Sequence, residues 1–254
     1  MTTSNKHSDG RFCWNQIATQ DVDQAIVFYS ALFGWEILEE ELGHGDDMVR
    51  MLHNGEFVVG IHKISEDEDA HWEPHLAMSD LSAFLALVQE KEGFIVEQPQ
   101  PAGAFGTMAE VAGPSGGRLC LWAAGEFGGH STTPANGIPF WYELQLLEEG
   151  TEETFWPNLL SWTEASNNQR RKNYATKDGA LISQIQILPE SVAETMLHPR
   201  WVTFVQVGDV DAICRDAEAI DGAIVRSPYE APGLGRCALL EDPQGSVFGV
   251  IRPA

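Results

Sequence analysis

The sequence predicts an α+β protein of two tandem modules, each made of two β-α-β-β-β motifs that curl a sheet into a cup. Three observations predict it. The chain repeats itself: Phe28-Tyr29 with Leu32-Phe33-Gly34-Trp35 recurs 127 residues on as Phe155-Trp156 with Leu159-Leu160-Ser161-Trp162, and Gly113-Pro114-Ser115-Gly116 recurs 129 residues on as Asp242-Pro243-Gln244-Gly245. Solenoid repeats return every 20 to about 50 residues, so an offset this long marks duplication of a whole folding unit. Within each half the apolar period switches repeatedly between strand and helix. Finally, 254 residues with 43% hydrophobic and 21% charged side chains suffice for two globular domains.

The elements follow in order. Residues 13–19 alternate as a strand, and Asp21 then caps a helix whose Ala25, Phe28, Tyr29, Leu32 and Phe33 keep helical spacing until Gly34 stops it. Strands follow at 35–40, 48–53 and 56–64, the last two joined by Asn54-Gly55, a type I′ hairpin signal. The second motif runs through a strand at 75–79, a helix from Asp80 to Lys91 ended by Gly93, and strands at 94–97, 107–112 and 118–122. A stretch rich in Gly, Pro, Ser and Thr separates the modules, which span residues 11–123 and 138–254 with a linker at 124–137. In the second module the expected elements are a strand at 140–146, a helix from Glu148 to about Ser161, strands near 173–176 and 180–188, and a helix from Asp209 to Ile220. Pro157 should delay or kink the first of these helices. Asp178-Gly179 takes the hairpin role of Asn54-Gly55.

Composition excludes several function classes. Thirty-eight acidic against 15 basic residues leave a net charge of −23, which repels phosphate backbones and anionic lipid surfaces. No apolar stretch reaches transmembrane length and no secretory signal opens the chain, so a cytoplasmic protein with no membrane or nucleic-acid partner is expected. Cys13, Cys120, Cys214 and Cys237 are scattered, with no CxxC pair, and read as reduced packing thiols. No Gly-x-Ser-x-Gly elbow, dinucleotide fingerprint or HExxH is present. Arg170-Arg171-Lys172 is a basic patch in an acidic chain and reads as a solvated hairpin tip.

The helix start Asp-x-x-x-Ala-x-x-Phe-Tyr-x-x-Leu-Phe-Gly-Trp (Asp21 to Trp35) and the Asp-Pro-x-Gly turn at Asp242 to Gly245, set in four β-α-β-β-β motifs, resemble the vicinal oxygen chelate superfamily. That group includes glyoxalases, extradiol dioxygenases and bleomycin resistance proteins, and the resemblance covers nearly the whole chain. It implies a divalent metal in each cup, held by His, Gln or Glu from the first and last strand of each motif, stabilising an oxyanion of a bidentate substrate. In this chain the implied positions are Trp14, Gly60, His75 and Cys120 in the first module and Trp141, Gln184, Phe204 and Gly249 in the second. Only His75 and Gln184 among them ligate comfortably.

Residues two apart on a strand share a face, so a displaced metal set of Gln16, His62 and His75, with Cys120 as a fourth, remains open in module one. Module two offers Glu143, Gln184, Gln186 and Gln206, mostly amides. Trp14 and Trp141 read either as aromatic walls for a flat ligand or as core filling. Glu143 and His75 are the candidate acid–base residues, Glu143 alternatively pairing with Arg200. His71-Trp72 and Arg200-Trp201 are placed just before strands, as packing residues.

The expected function is a small-molecule binding protein with metal-free aromatic cups, needing no cofactor and acting as monomer or homodimer. Its lining is Trp14, Gln16, His62, Cys120, Trp141, Gln184, Phe204 and Gln206. The alternative is a lyase, isomerase or dioxygenase of the same superfamily, using a displaced divalent metal or Glu143 and His75.

Overall fold

A computed structural model describes residues 7–37, 48–130, 134–168, 170–193, 196 and 198–254. The first motif is β1 (Phe12–Thr19), α1 (Val22–Phe33), β2 (Glu36–Ile37), β3 (Met48–His53) and β4 (Glu56–Lys63). The second is β5 (His71–Ala77), α2 (Leu81–Glu90), β6 (Phe94–Ala102), β7 (Gly106–Ala112) and β8 (Arg118–Ala124). The third is β9 (Pro139–Leu146), α3 (Glu152–Leu160), β10 (Thr163–Asn168), β11 (Arg171–Ala175) and β12 (Leu181–Ile187), followed by the one-turn α4 (Glu190–Ala193). The fourth is β13 (Arg200–Gln206), α5 (Val210–Ala219), β14 (Ala223–Ala231), β15 (Gly235–Glu241) and β16 (Val247–Pro253). They form two eight-stranded sheets, ordered β2-β3-β4-β1-β5-β8-β7-β6 and β10-β11-β12-β9-β13-β16-β15-β14. The four expected motifs are therefore present, as an α+β architecture.

Local chemistry explains most boundaries. Asp21, Asp80 and Asp209 each cap a helix by accepting from the backbone N–H three residues on. Gly34, at φ 69°, closes α1 with its N–H on the Ser30 carbonyl. Asn54 and Gly55 are both left-handed, at φ 53° and 81°, as a type I′ turn requires.

Other boundaries depart from expectation. At Asp178-Gly179 only the glycine is left-handed, so the β11–β12 turn is of another type, closed by Gly179 N–H on the Thr176 carbonyl. Helix α2 ends through a left-handed Glu92 (φ 67°) rather than at Gly93. Gly93 is a packing glycine instead, since a Cβ there would lie 2.6 Å from Phe155 and 2.9 Å from Val88. Helix α3 starts at Glu152, four residues later than Glu148, with no side-chain cap and Pro157 inside it. His71-Trp72 and Arg200-Trp201 lie within β5 and β13, not before them. Pro74 masks the true start of β5, whose ladder with β8 begins only at His75. Of the strand expected at 35–40, Glu36–Ile37 is present and residues 38–40 lie outside the described residues.

The chain packs as two compact units that cut across the two tandem modules. One combines the chain up to Trp14 with Pro74–Gly129 and Tyr142–Trp201; the other combines Asn15–Glu73, His130–Trp141 and Val202–Ala254. The core of the first unit is sealed by Phe12 stacked on Tyr142 (centroids 3.7 Å apart), with Trp156, Trp162 and Trp201 around them and α2 and α3 alongside. The second centres on Tyr29, Trp35, Trp72 and Phe248, flanked by α1 and α5.

Candidate functional site

Strand alternation decides which side chains turn away from the helices. In the second unit Ile17, Met51, Val59 and Ile61 join the helix-side core, so Gln16, Gly60 and His62 lie on the opposite, inner face. The ladders give the register of that face in all four motifs: Gln16 beside Gly60, His75 beside Cys120, Glu143 beside Gln184 and Phe204 beside Gly249. The first-strand positions equivalent to His75 and Phe204 are therefore Gln16 and Glu143, two residues beyond Trp14 and Trp141.

In the second unit both glycine positions are already filled. A Cβ on Gly60 would lie 2.6 Å from Met48 Sδ and 3.3 Å from Gln16 Cγ, so the thioether of β3 covers that slot. A Cβ on Gly249 would fall 2.2–2.5 Å from three ring carbons of Phe204. Around Phe204 the inner face is apolar, with Trp141, Val202, Leu239, Cys237 and Ile251 buried together. Two polar atoms on this face are buried without a protein partner: Trp141 Nε1, a donor, and Gln206 Oε1, an acceptor.

The same unit contains a carboxylate that sequence reasoning missed. Glu73 accepts from His62 Nε2 at 3.0 Å and sits 3.3 Å from His71 Nε2. Burial alone would raise the Glu73 carboxyl, but the two imidazoles hold it well below the usual carboxylate range. Burial likewise pulls His62 down, and the hydrogen bond and charge of Glu73 raise it above its ordinary 6.5. The available signal was parity, because Glu73 shares the face of His75 two residues on. His62 is thus engaged by Glu73 within its own unit.

In the first unit Trp14 packs edge-on against Phe127, with centroids 4.8 Å apart. His75 is fully buried, its Nε2 lies 3.4 Å from Met108 Sδ, and its carbonyl accepts from Cys13 Sγ. Burial pushes the Cys13 thiol far above its ordinary range, and all four cysteines are free and buried. Glu143, 2% exposed, accepts from Gln145 Nε2 at 2.8 Å, and Gln145 in turn accepts from Arg200 Nε at 3.0 Å. The expected Glu143–Arg200 relation therefore includes a route through an amide relay. Gln184 donates to Asn173 at 2.7 Å, while Gln186 Oε1 is buried without a protein partner. Arg170 and Lys172 are tied to the Leu188 carbonyl and to Glu153 (2.6 Å), which occupies two of the three basic side chains expected at a solvated tip. A cavity of about 430 Å³ in this unit, rimmed by Arg11, Lys177 and Asp178 and floored by Phe84, Leu159 and Trp162, contains none of the expected site residues.

Two further buried carboxylates are structural and serve turns in equivalent places of the two units. Asp242 accepts from the backbone N–H of Gln244 and Ser246 and from Tyr29 OH at 2.9 Å, and Trp72 Nε1 donates to that hydroxyl. At the equivalent place in the other unit Asp242 is replaced by Gly113 and Tyr29 by Trp156. The carboxylate comes from Glu152 of α3 instead, accepting from Ser115 N–H and Trp156 Nε1, both at 2.7 Å. With no hydroxyl on Trp156, Trp201, the counterpart of Trp72, has its Nε1 buried without a partner. Burial raises both carboxyls despite their hydrogen bonds.

Residues 11–121 match the family model of the Glyoxalase/Bleomycin resistance protein/Dioxygenase superfamily. The structure of the Mn(II)-bound glyoxalase from Novosphingobium aromaticivorans superposes with a TM-score of 0.67 over 96% of this chain and 82% of that one, at 13% identity. The first module thus matches this superfamily, the vicinal oxygen chelate proteins, and the whole chain shares the two-module fold of its solved structures. Full-length relatives extend the likeness. Protein CFP32 of Mycobacterium tuberculosis, which carries a provisional glyoxylase name, is 26% identical over 100% of this chain and 99% of its own. Anthracycline biosynthesis protein DauV of Streptomyces sp. (strain C5) is 25% identical over 97% and 94%. Among the described residues no helix is long and apolar enough to cross a membrane, and no three His, Cys, Asp or Glu side chains are grouped to hold a metal ion.

Proposed function

We propose that this protein binds a small organic molecule on its inner faces and does so without the divalent metal of the superfamily it resembles. The observation that carries the reading is the filling of the two glycine positions, Gly60 by Met48 and Gly249 by Phe204. An open octahedral site for manganese or iron needs several oxygen or imidazole donors, typically with a carboxylate. The register positions of module one supply an amide (Gln16), a hydrogen (Gly60), an imidazole (His75) and a thiol (Cys120). Those of module two supply a carboxylate (Glu143), an amide (Gln184), a phenyl ring (Phe204) and a hydrogen (Gly249). These sets do not fit such a metal, and His62, expected in a displaced set, is engaged by Glu73.

Binding energy would come from stacking a flat ring on the aromatic side chains of the inner face, Trp141 and Phe204, whose buried neighbours are apolar. The 25% identity to an anthracycline biosynthesis protein makes fused aromatic compounds the first ligands to test. A cytoplasmic setting suits four free, buried thiols. One observation favours acid–base chemistry as a second reading: Glu143 is a buried carboxylate oriented through Gln145 by Arg200.

The test is metal retention. Protein incubated with manganese, iron, zinc or nickel and then desalted is assayed by mass spectrometry; less than stoichiometric retention of each is expected. A full equivalent that is lost in His75→Ala would overturn the metal-free reading.

A further inference from the structure

We infer that the second module selects a planar aromatic compound bearing both a ring carbonyl and a hydroxyl, through Trp141 and Gln206. The inference rests on the metal-free binding reading and specifies its ligand. Three observations within one unit carry it. Trp141 is 2% exposed and its indole N–H has no acceptor. Gln206 Oε1 is buried with no donor, although the backbone N–H and carbonyl of the same residue are both bonded, to Ile138 and Gly137. Apolar side chains adjoin both: Phe204, buried in one cluster with Trp141 and Ile251, is two residues before Gln206 on the same face of β13, and Ile251 is the register partner of Gln206.

Buried polar atoms are nearly always paired, because an unpaired one costs about 1–3 kcal/mol of desolvation. The other orphaned indole among the described residues, Trp201 Nε1, has a structural origin in the replacement of a tyrosine hydroxyl by Trp156. Trp141 has no such explanation. Its indole can only donate and the amide oxygen can only accept, so the complementary ligand presents one acceptor and one donor. The surroundings of Val202, Phe204, Leu239 and Ile251 contribute no charge, which selects a neutral carbonyl over a carboxylate and a hydroxyl over an ammonium group. The first module lacks this arrangement, since Trp14 packs against Phe127 and the position equivalent to Gln206 is Ala77, which has no polar side chain.

Ligands are compared by quenching of tryptophan fluorescence with tetralin, tetralone and the hydroxytetralone isomers, on wild type, Trp141→Phe and Gln206→Leu. In wild type the ketone should improve on the hydrocarbon by about fivefold, and the best hydroxy isomer by about fivefold again, each equivalent to one net hydrogen bond of about 1 kcal/mol. Trp141→Phe should abolish the ketone preference and leave the hydroxyl preference; Gln206→Leu should do the reverse. Circular dichroism verifies that both variants are folded. Equal binding of tetralin and hydroxytetralone by wild type, or preferences that survive both substitutions, would overturn this assignment while leaving metal-free binding intact. Absence of binding by every ring compound would overturn both readings.

Discussion

The two buried carboxylates invite a transplant between the repeats. Glu152→Ala leaves Ser115 N–H and Trp156 Nε1 without their acceptor, two donors each 2.7 Å from a carboxylate oxygen. At about 1–3 kcal/mol for each orphaned buried donor, the loss should be about 2–6 kcal/mol, a large share of a typical domain's stability. Gly113→Asp alone should also destabilise, because its Cβ would lie 2.0 Å from Glu152 Oε1 and would bring a second carboxylate against the first. Gly113 is not left-handed, so its backbone accepts an aspartate. The double variant Gly113→Asp/Glu152→Ala recreates the Asp242 arrangement, with the turn supplying the acceptor for its own N–H and for the helix aromatic. Urea unfolding should show the double variant more stable than either single one, with a coupling energy of at least about 2 kcal/mol. Additive losses would refute the claim that Glu152 does in one unit what Asp242 does in the other.

The remaining predictions are more local. The Glu73–His62 pair has opposite pH signatures in its two partners: the depressed Glu73 contributes stability that is lost as pH falls through its folded value, and the raised His62 contributes stability that is lost as pH rises through its own. In Glu73→Gln, NMR titration of His62 should give a value below wild type, since burial is then the main remaining influence; an unmoved titration would contradict the pairing. Gly249→Ala should cost about 1–3 kcal/mol, because a rigid ring lies 2.2 Å from the new methyl, whereas Gly60→Ala should cost less than about 1 kcal/mol, because the Met48 thioether can rotate away. Equal losses in the two variants, measured by thermal unfolding, would contradict the packing described at these slots.

The four motifs were legible because they rest on periodicity and on caps that bond locally, as Asp21, Asp80 and Asp209 do. Positions on the inner face were legible only to within two residues. The inner/outer alternation was right, but register is set by long-range pairing, and the ladder moved the first-strand position from Trp14 to Gln16 and from Trp141 to Glu143. Pro74 hid the first residues of β5 and with them the partnership of Glu73 and His62. The exchange of Asp242 for Glu152 was also out of reach, since it joins a turn and a helix 37 residues apart in one unit and 213 in the other. Nor does any local pattern reveal that Met48 and Phe204 fill the space above two glycines; that depends on neighbouring strands meeting at one place.

The most direct test of the account is a titration of the protein with a fused aromatic hydroxyketone, followed by tryptophan quenching, in chelator and again after saturation with manganese. The account predicts saturable binding in chelator and an affinity unchanged by the metal, because Met48 and Phe204 stand where ligating side chains would be needed. Binding that appears only with manganese would contradict it and point to the metal chemistry of the superfamily that the first module matches.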